Sequence, residues 1–246
     1  MTKDNEHGIR LVTLNVPLTG DWEKDKIIIQ KAAMQPTRAD EFYDHAVAIQ
    51  GLFDILTYGT PSAPAHPQRK GLLLKVHGEL YPIAHFAKLY FSAPANVIIQ
   101  WIDGSQKHDA IIEYINKDLT KCDIRYLEVT TLQSEDDAKE LKELSKGNTI
   151  VSVTTNSEYD THLKKLELLK TALKKKGSNT YPPKTALLVY TDEHRLQKFY
   201  YGISAPKFDR KGNYQAVLNE LTPLLKGFSH VFIYSKDEIY CMWAAH

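Results

Sequence analysis

Two acidic residues stand where a carboxylate is hard to explain by folding alone. Asp109 enters the run Asp109-Ala-Ile-Ile-Glu-Tyr, which follows Val97-Ile-Ile-Gln-Trp-Ile and the turn pair Asp103-Gly104. Glu128 lies inside Ile124-Arg-Tyr-Leu-Glu-Val-Thr, flanked by Leu127 and Val129. A carboxylate within an apolar strand costs free energy unless something pairs with it. If the strands carrying Asp109 and Glu128 are neighbours, the two anions approach and repel, and a divalent cation resolves the conflict. Magnesium keeps several waters, so two carboxylates and a backbone carbonyl suffice to hold it. The plainer alternative is that Glu128 alternates out to solvent on an edge strand and Asp109 only finishes a turn.

The elements that must position these residues are readable from the spacing of apolar residues. Val97 to Ile102 and Asp109 to Tyr114 read as two strands of a hairpin, with a third strand from Ile124. Upstream, Thr37-Arg-Ala-Asp-Glu opens a helix to about Tyr58, whose Phe42, Ala46, Ile49, Phe53 and Leu56 recur at three and four. Gly59 to Pro67, with three prolines, is the best loop or boundary signal. Leu72 to Val76 reads as a strand, and Glu79 to Tyr90 as a short helix with Pro82 in its first turn. Ile9 to Pro17 has the alternation of a short strand.

Downstream, Ser134-Glu-Asp-Asp opens a helix that Gly147 stops, and Thr149 to Thr154 is strand-like. A long helix follows from Asn156 or Ser157 to about Lys176. Its apolar stripe is Tyr159, Leu163, Leu166, Leu169 and Leu173, and Lys170 falls within that stripe. Thr185-Ala-Leu-Leu-Val-Tyr is the continuous apolar run of a central strand covered on both faces. A helix near Tyr214 to Leu225 and an antiparallel pair, Val231-Phe-Ile-Tyr with Ile239-Tyr-Cys-Met-Trp, finish the chain. The order implies an α/β fold, a mixed β-sheet flanked by helices.

Whole-chain properties narrow the classes of function. Lys+Arg of 31 against Asp+Glu of 30 leaves a net charge of +1, so a nucleic-acid partner needs local clustering of cations. The densest cluster is Lys164, Lys165, Lys174, Lys175, Lys176 and Lys184, although cations also suit a helix C-terminus for electrostatic reasons of its own. Two cysteines, Cys122 and Cys241, support neither a disulfide framework nor a zinc site, and reduced thiols in a cytoplasmic protein are expected. No signal-peptide pattern and no apolar span point to a membrane. Glycines do not cluster into a phosphate loop, and no nucleophile elbow or zinc histidine pair is present.

At Asp109 and Glu128-Val129-Thr130 the chain resembles the PD-(D/E)XK nuclease-like superfamily. That family places an acid entering the second strand of a hairpin and (D/E)-x-K on the third strand, then a helix and another strand. The resemblance covers about residues 79 to 191. It implies a restriction-endonuclease-like αβββαβ core within 79–246, with C-terminal additions and an N-terminal elaboration over 1–78. It further implies Mg2+ or Mn2+ held by Asp109, Glu128 and the Val129 carbonyl. The first helix of the family often adds another acid, and Glu79 is the positional match, with Glu41 in the earlier helix as competitor.

Thr130 stands where the family has lysine, and His108 where it has proline. Members relocate such a lysine to the following helix, which makes Lys170 the expected catalytic cation, its plainer role being a packed stem with a wet ammonium. The implied activity is metal-dependent phosphodiester hydrolysis of nucleic acid, DNA in preference to RNA. The alternative is a nuclease-like fold that no longer cuts and serves as a nucleic-acid-binding or protein-interaction module. Residues 1–78 leave a lid or a homodimer surface open.

Overall fold

Asp21 caps the first helix by accepting hydrogen bonds from the Glu23 and Lys24 amides, the arrangement that satisfies the free N–H groups of a helix start. The computed structural model describes residues 14, 16–59, 71–116, 124–133, 158–193 and 208–245. Helix α1 is Trp22–Ala33, strand β1 is Thr37–Arg38, and helix α2 is Phe42–Gly59. The helix expected from Thr37 therefore starts later. Thr37 and Arg38 pair with Ile99 and Ile98, and the Ala39 amide donates to the Val97 carbonyl, so the sheet edge captures this backbone first.

Leu72 to Val76, expected as a strand, is helical. Helix α3, Leu72–Lys75, runs through a wide π turn at Val76–Leu80 into helix α4, Tyr81–Tyr90. A short apolar run suits a buried helix as well as a buried strand, and periodicity within it does not decide. What decides is the longer pattern: Leu73, Val76, Leu80, Ile83, Ala84, Phe86 and Ala87 are all buried. Pro82 has no N–H to donate, and the π turn comes just before it.

The sheet then unrolls in chain order. Strand β2, Val97–Trp101, pairs antiparallel with β3, Ala110–Tyr114, and β3 with β4, Tyr126–Thr131. Helix α5, Glu158–Gly177, leads to strand β5, Thr185–Tyr190, which lies parallel to β4. Helix α6, Arg210–Leu221, precedes β6, His230–Tyr234, parallel to β5, and β7, Ile239–Ala244, closes the far edge antiparallel. Spatial order follows chain order from β1 to β7. The architecture is α/β with a mixed sheet between helical layers. The helix expected after Ser134, the strand at Thr149 to Thr154, the loop after Gly59, most of Ile9 to Pro17, and Cys122 lie outside the described residues.

Alternation along the strands divides the core in two. Leu127, Val129, Ala186, Leu188, Phe232 and Tyr234 face the layer of α2 and α4. Leu187, Val189, Val231 and Ile233 face α5 and α6. Strand β5 is apolar on both faces for this reason, as its sequence indicates. Ile29 of α1 and Phe42 of α2 share the first core with Val97 and Trp101, so the N-terminal helices and the hairpin are packed as one body. Among the described residues no helix is long and apolar enough to cross a membrane. Cys241 is a free thiol.

Candidate active site

The ladder between β3 and β4 is short, and the candidate site occupies the point where it stops. The last paired residues are Ala110 and Leu127. Beyond them, the Asp109 amide donates to the Leu127 carbonyl at 2.7 Å, and the Ile102 amide donates to the Asp109 carbonyl at 2.8 Å. The Asp109 carboxylate then takes the place of a backbone acceptor: its Oδ2 receives the Val129 amide at 2.7 Å. Backbone and side chain together fix Asp109 beside Glu128, the residue before Val129.

Glu128 takes the other side of the strand from Leu127 and Val129, towards the helix layer of α5. It is 9% exposed. Its Oε1 accepts from the Lys176 ammonium, which arrives from the last turn of α5. Glu79 comes from the π turn between α3 and α4, and its Oε2 accepts from the Trp101 indole at 3.2 Å. π turns are uncommon and recur at functional sites. Beside them Lys75 pairs with Asp103, whose second oxygen accepts from Gln30 at 2.6 Å. That network pins residues 102–109, a longer connection than the two-residue turn Asp103-Gly104 suggests.

The electrostatics follow from crowding acids in a half-closed space. Burial pushes the Asp109 carboxyl up to about 7, and the charges of Glu128 and Glu79 push the same way against the Val129 amide and Lys176. Burial likewise raises Glu79, opposed by its bond to Trp101 and the charge of Lys75. For Lys176 burial works against the charged form, but the bond to Glu128 and the charge of Glu128 prevail and raise it. His108 is lowered by burial, against the pull of Glu128.

Of the residues singled out from sequence, Asp109 and Val129 are joined by a hydrogen bond with Glu128 next to them, whereas Glu79 bonds Trp101 and acts on Asp109 only through its charge. Lys170 does not join them. It pairs with Glu167 at 3.7 Å and with Glu220 of α6 at 3.4 Å, on the flank of α5 that meets α6. Helix α5 is rotated relative to the expected stripe: its buried residues are Glu158, His162, Lys165, Leu169 and Leu173, whereas Tyr159 and Leu163 are 43% and 40% exposed. Lys176 lies seven residues after Leu169 and three after Leu173, hence on the same face. That spacing was the signal for Lys176, and it was masked by the two exposed apolar residues. Glu41, the competitor of Glu79, pairs with Arg38.

Among the described residues no group of three or more His, Cys, Asp or Glu side chains is gathered as a metal shell. Asp109 and Glu128 are oxygen donors only, which is the donor type that a hard divalent cation takes, with waters for the rest of its shell. Burial first, and the charge of Glu128 after it, raise the Asp109 carboxyl, and a nearby cation would act against both. In donor type alone the two carboxylates suit a magnesium or manganese ion, although Glu128 is already paired with Lys176 and Asp109 with the Val129 amide. The chain has no significant match among family models, curated proteins or solved structures.

Proposed function

We propose that the protein is a metal-dependent phosphodiesterase acting on nucleic acid, DNA in preference to RNA, and a degenerate relative of the PD-(D/E)XK nucleases. The observation that carries this reading is the meeting of three groups from three elements. Asp109 stands at the head of β3 and accepts from the Val129 amide, Glu128 lies beside Val129 within β4, and the Lys176 ammonium reaches Glu128 from α5. The order of α4, β2, β3, β4, α5 and β5 supports it as the αβββαβ arrangement that the resemblance implies.

Asp109 and Glu128 would hold Mg2+ or Mn2+, with the Val129 carbonyl as the third protein oxygen that the resemblance supplies. An ion held there would supply a water of lowered pKa and stabilise charge on the phosphate. Lys176 takes over the part given to the missing strand lysine, because Thr130 has no charge to offer. Bound to Glu128, it is kept charged and in place to offset negative charge on a phosphoryl oxygen.

Some cations near the site in sequence are open to a polyanion. Lys107, Arg125, Lys174 and Lys175 are exposed, carry no ion pair with any described residue, and lie within three positions of Asp109, Glu128 or Lys176. Earlier in α5, Lys165 and Lys170 are neutralised by Asp192, Glu167 and Glu220. Contacts to phosphates supply affinity without choice of sequence. The test is cleavage of plasmid and single-stranded DNA with manganese by the parent and by Asp109→Ala. Loss of cleavage in the variant supports the proposal, and equal cleavage overturns it. Calorimetric metal binding that Glu128→Ala abolishes, without any cleavage by the parent, would favour a module that binds and does not cut.

A further inference from the structure

Strand β2 ends at Trp101 and β3 begins at Ala110, and the loop between them has its neck closed by one side chain. The Gln106 side-chain amide donates to the Ile102 carbonyl at 3.1 Å and to the His108 carbonyl at 3.0 Å. One amide group carries two protons, and both are used here. A half-exposed glutamine can give those protons to water; Gln106 gives them to the backbone on the two sides of one neck. Ile102 in turn donates its own amide to the Asp109 carbonyl at 2.8 Å. Gln106 thus holds both the residue bonded to Asp109 and the residue that precedes it in the chain. Gly104 makes room for this arrangement, because a Cβ there would stand 2.2 Å from Gln106 Oε1. Gly104 lacks the positive φ of Gly20 and Gly71, so space and not backbone conformation calls for glycine.

Resting on the phosphodiesterase reading above, we infer that Gln106 is the positioning residue of Asp109. By tying Ile102 to His108 it holds the Asp109 carboxylate on the Val129 amide, the 2.7 Å bond that sets this acid beside Glu128. Gln106 touches neither ion nor substrate in this role. It fixes the backbone from which Asp109 projects, and a reacting group misplaced by about 1 Å can cost about a hundredfold in rate.

Gln106→Met keeps the length of the side chain and removes both donors. Gly104→Ala leaves the amide intact but pushes it off its carbonyls. The measurements are amide hydrogen exchange at Val129 and single-turnover plasmid cleavage with manganese, for the parent, both variants, the double variant and Asp109→Ala. Exchange at Val129 is expected to be about tenfold or more faster in each variant, while the Leu188 amide in the central strand β5 keeps the parent's rate. Cleavage is expected to be about tenfold to a hundredfold slower, and the double variant no slower than Gln106→Met, because both changes act through one clamp. Unchanged exchange at Val129 in Gln106→Met overturns the inference. Faster exchange at Leu188 as well overturns it too, since the clamp then serves the fold as a whole. A variant that loses protection at Val129 and still cuts at the parent's rate has the same consequence. Equal cleavage by the parent and Asp109→Ala overturns the phosphodiesterase reading, and the exchange at Val129 then still decides whether Gln106 holds Asp109.

Discussion

A carboxyl group that loses solvent on folding holds its proton to a higher pH, and Asp109 illustrates the consequence for stability. Its folded value of about 7 lies above the ordinary aspartate value, because burial and the neighbouring Glu128 and Glu79 all disfavour the anion. A raised folded value means that the protonated form is the one the fold prefers. The stabilising contribution is therefore complete at acid pH, below the unfolded value, and is lost as pH rises through about 7. Asp109→Asn retains an acceptor for the Val129 amide but cannot ionise. It is expected to stabilise the metal-free protein at pH 8 by something on the order of 2–4 kcal/mol and to change little near pH 4. Thermal unfolding at the two pH values checks this, and an equal gain at both would show that charge is not the cause. The same residue was legible from sequence because a carboxylate at the entry to an apolar strand is conspicuous. The Lys75–Asp103 pair was not, since its partners are 28 residues apart and nothing in either neighbourhood names the other.

Helix α5 shows how an element can be recognised and yet be misoriented. Its length and its end at Gly177 follow from sequence, but an apolar stripe through Tyr159 and Leu163 points the wrong flank inward. The reason lies in partners that the helix does not itself contain. His162 is buried because its Nδ1 meets the Glu193 carboxylate at 2.8 Å, and Lys165 because its ammonium donates to the Leu132 carbonyl at 2.5 Å and pairs with Asp192 at 3.0 Å. Glu158 is buried against Arg210. Three polar residues with waiting partners outweigh two aromatic and aliphatic ones that stay in solvent. The rotation takes Lys170 to α6 and delivers Lys176 to Glu128. Lys176→Gln is accordingly expected to lower the cleavage rate by about a hundredfold or more, and Lys170→Gln to leave it nearly unchanged. Initial rates of the two variants, measured with manganese on one plasmid substrate, decide the matter; the opposite order would refute the assignment of Lys176.

At the scale of the whole molecule, the hairpin, the strand after it, the closing antiparallel pair and the doubly covered β5 were legible because period-two alternation and a continuous apolar run are strong signals. In the N-terminal layer α2 was legible through Phe42, Ala46, Ile49 and Phe53, but α1 and α3 were not, because they are specified by what they pack on. Ile29 and Phe53 are at most 1% exposed, and both belong to the core that carries Trp101 and Val129. Gln30 of the same layer reaches Asp103 in the connection that ends at Asp109. A layer that shares a core with the hairpin and a hydrogen bond with its connection unfolds together with the site. Ile29→Ala, which removes a fully buried side chain, is expected to cost about 2–4 kcal/mol. Because the layer is not autonomous, that loss moves the whole transition. Unfolding in urea followed by far-ultraviolet circular dichroism and by tryptophan fluorescence, which includes Trp101 beside Glu79, is expected to shift to lower denaturant in both signals together. An early helical transition that leaves the fluorescence curve in place would mean instead that residues before the hairpin form a separate unit. In that case the geometry of Asp109 would owe nothing to α1.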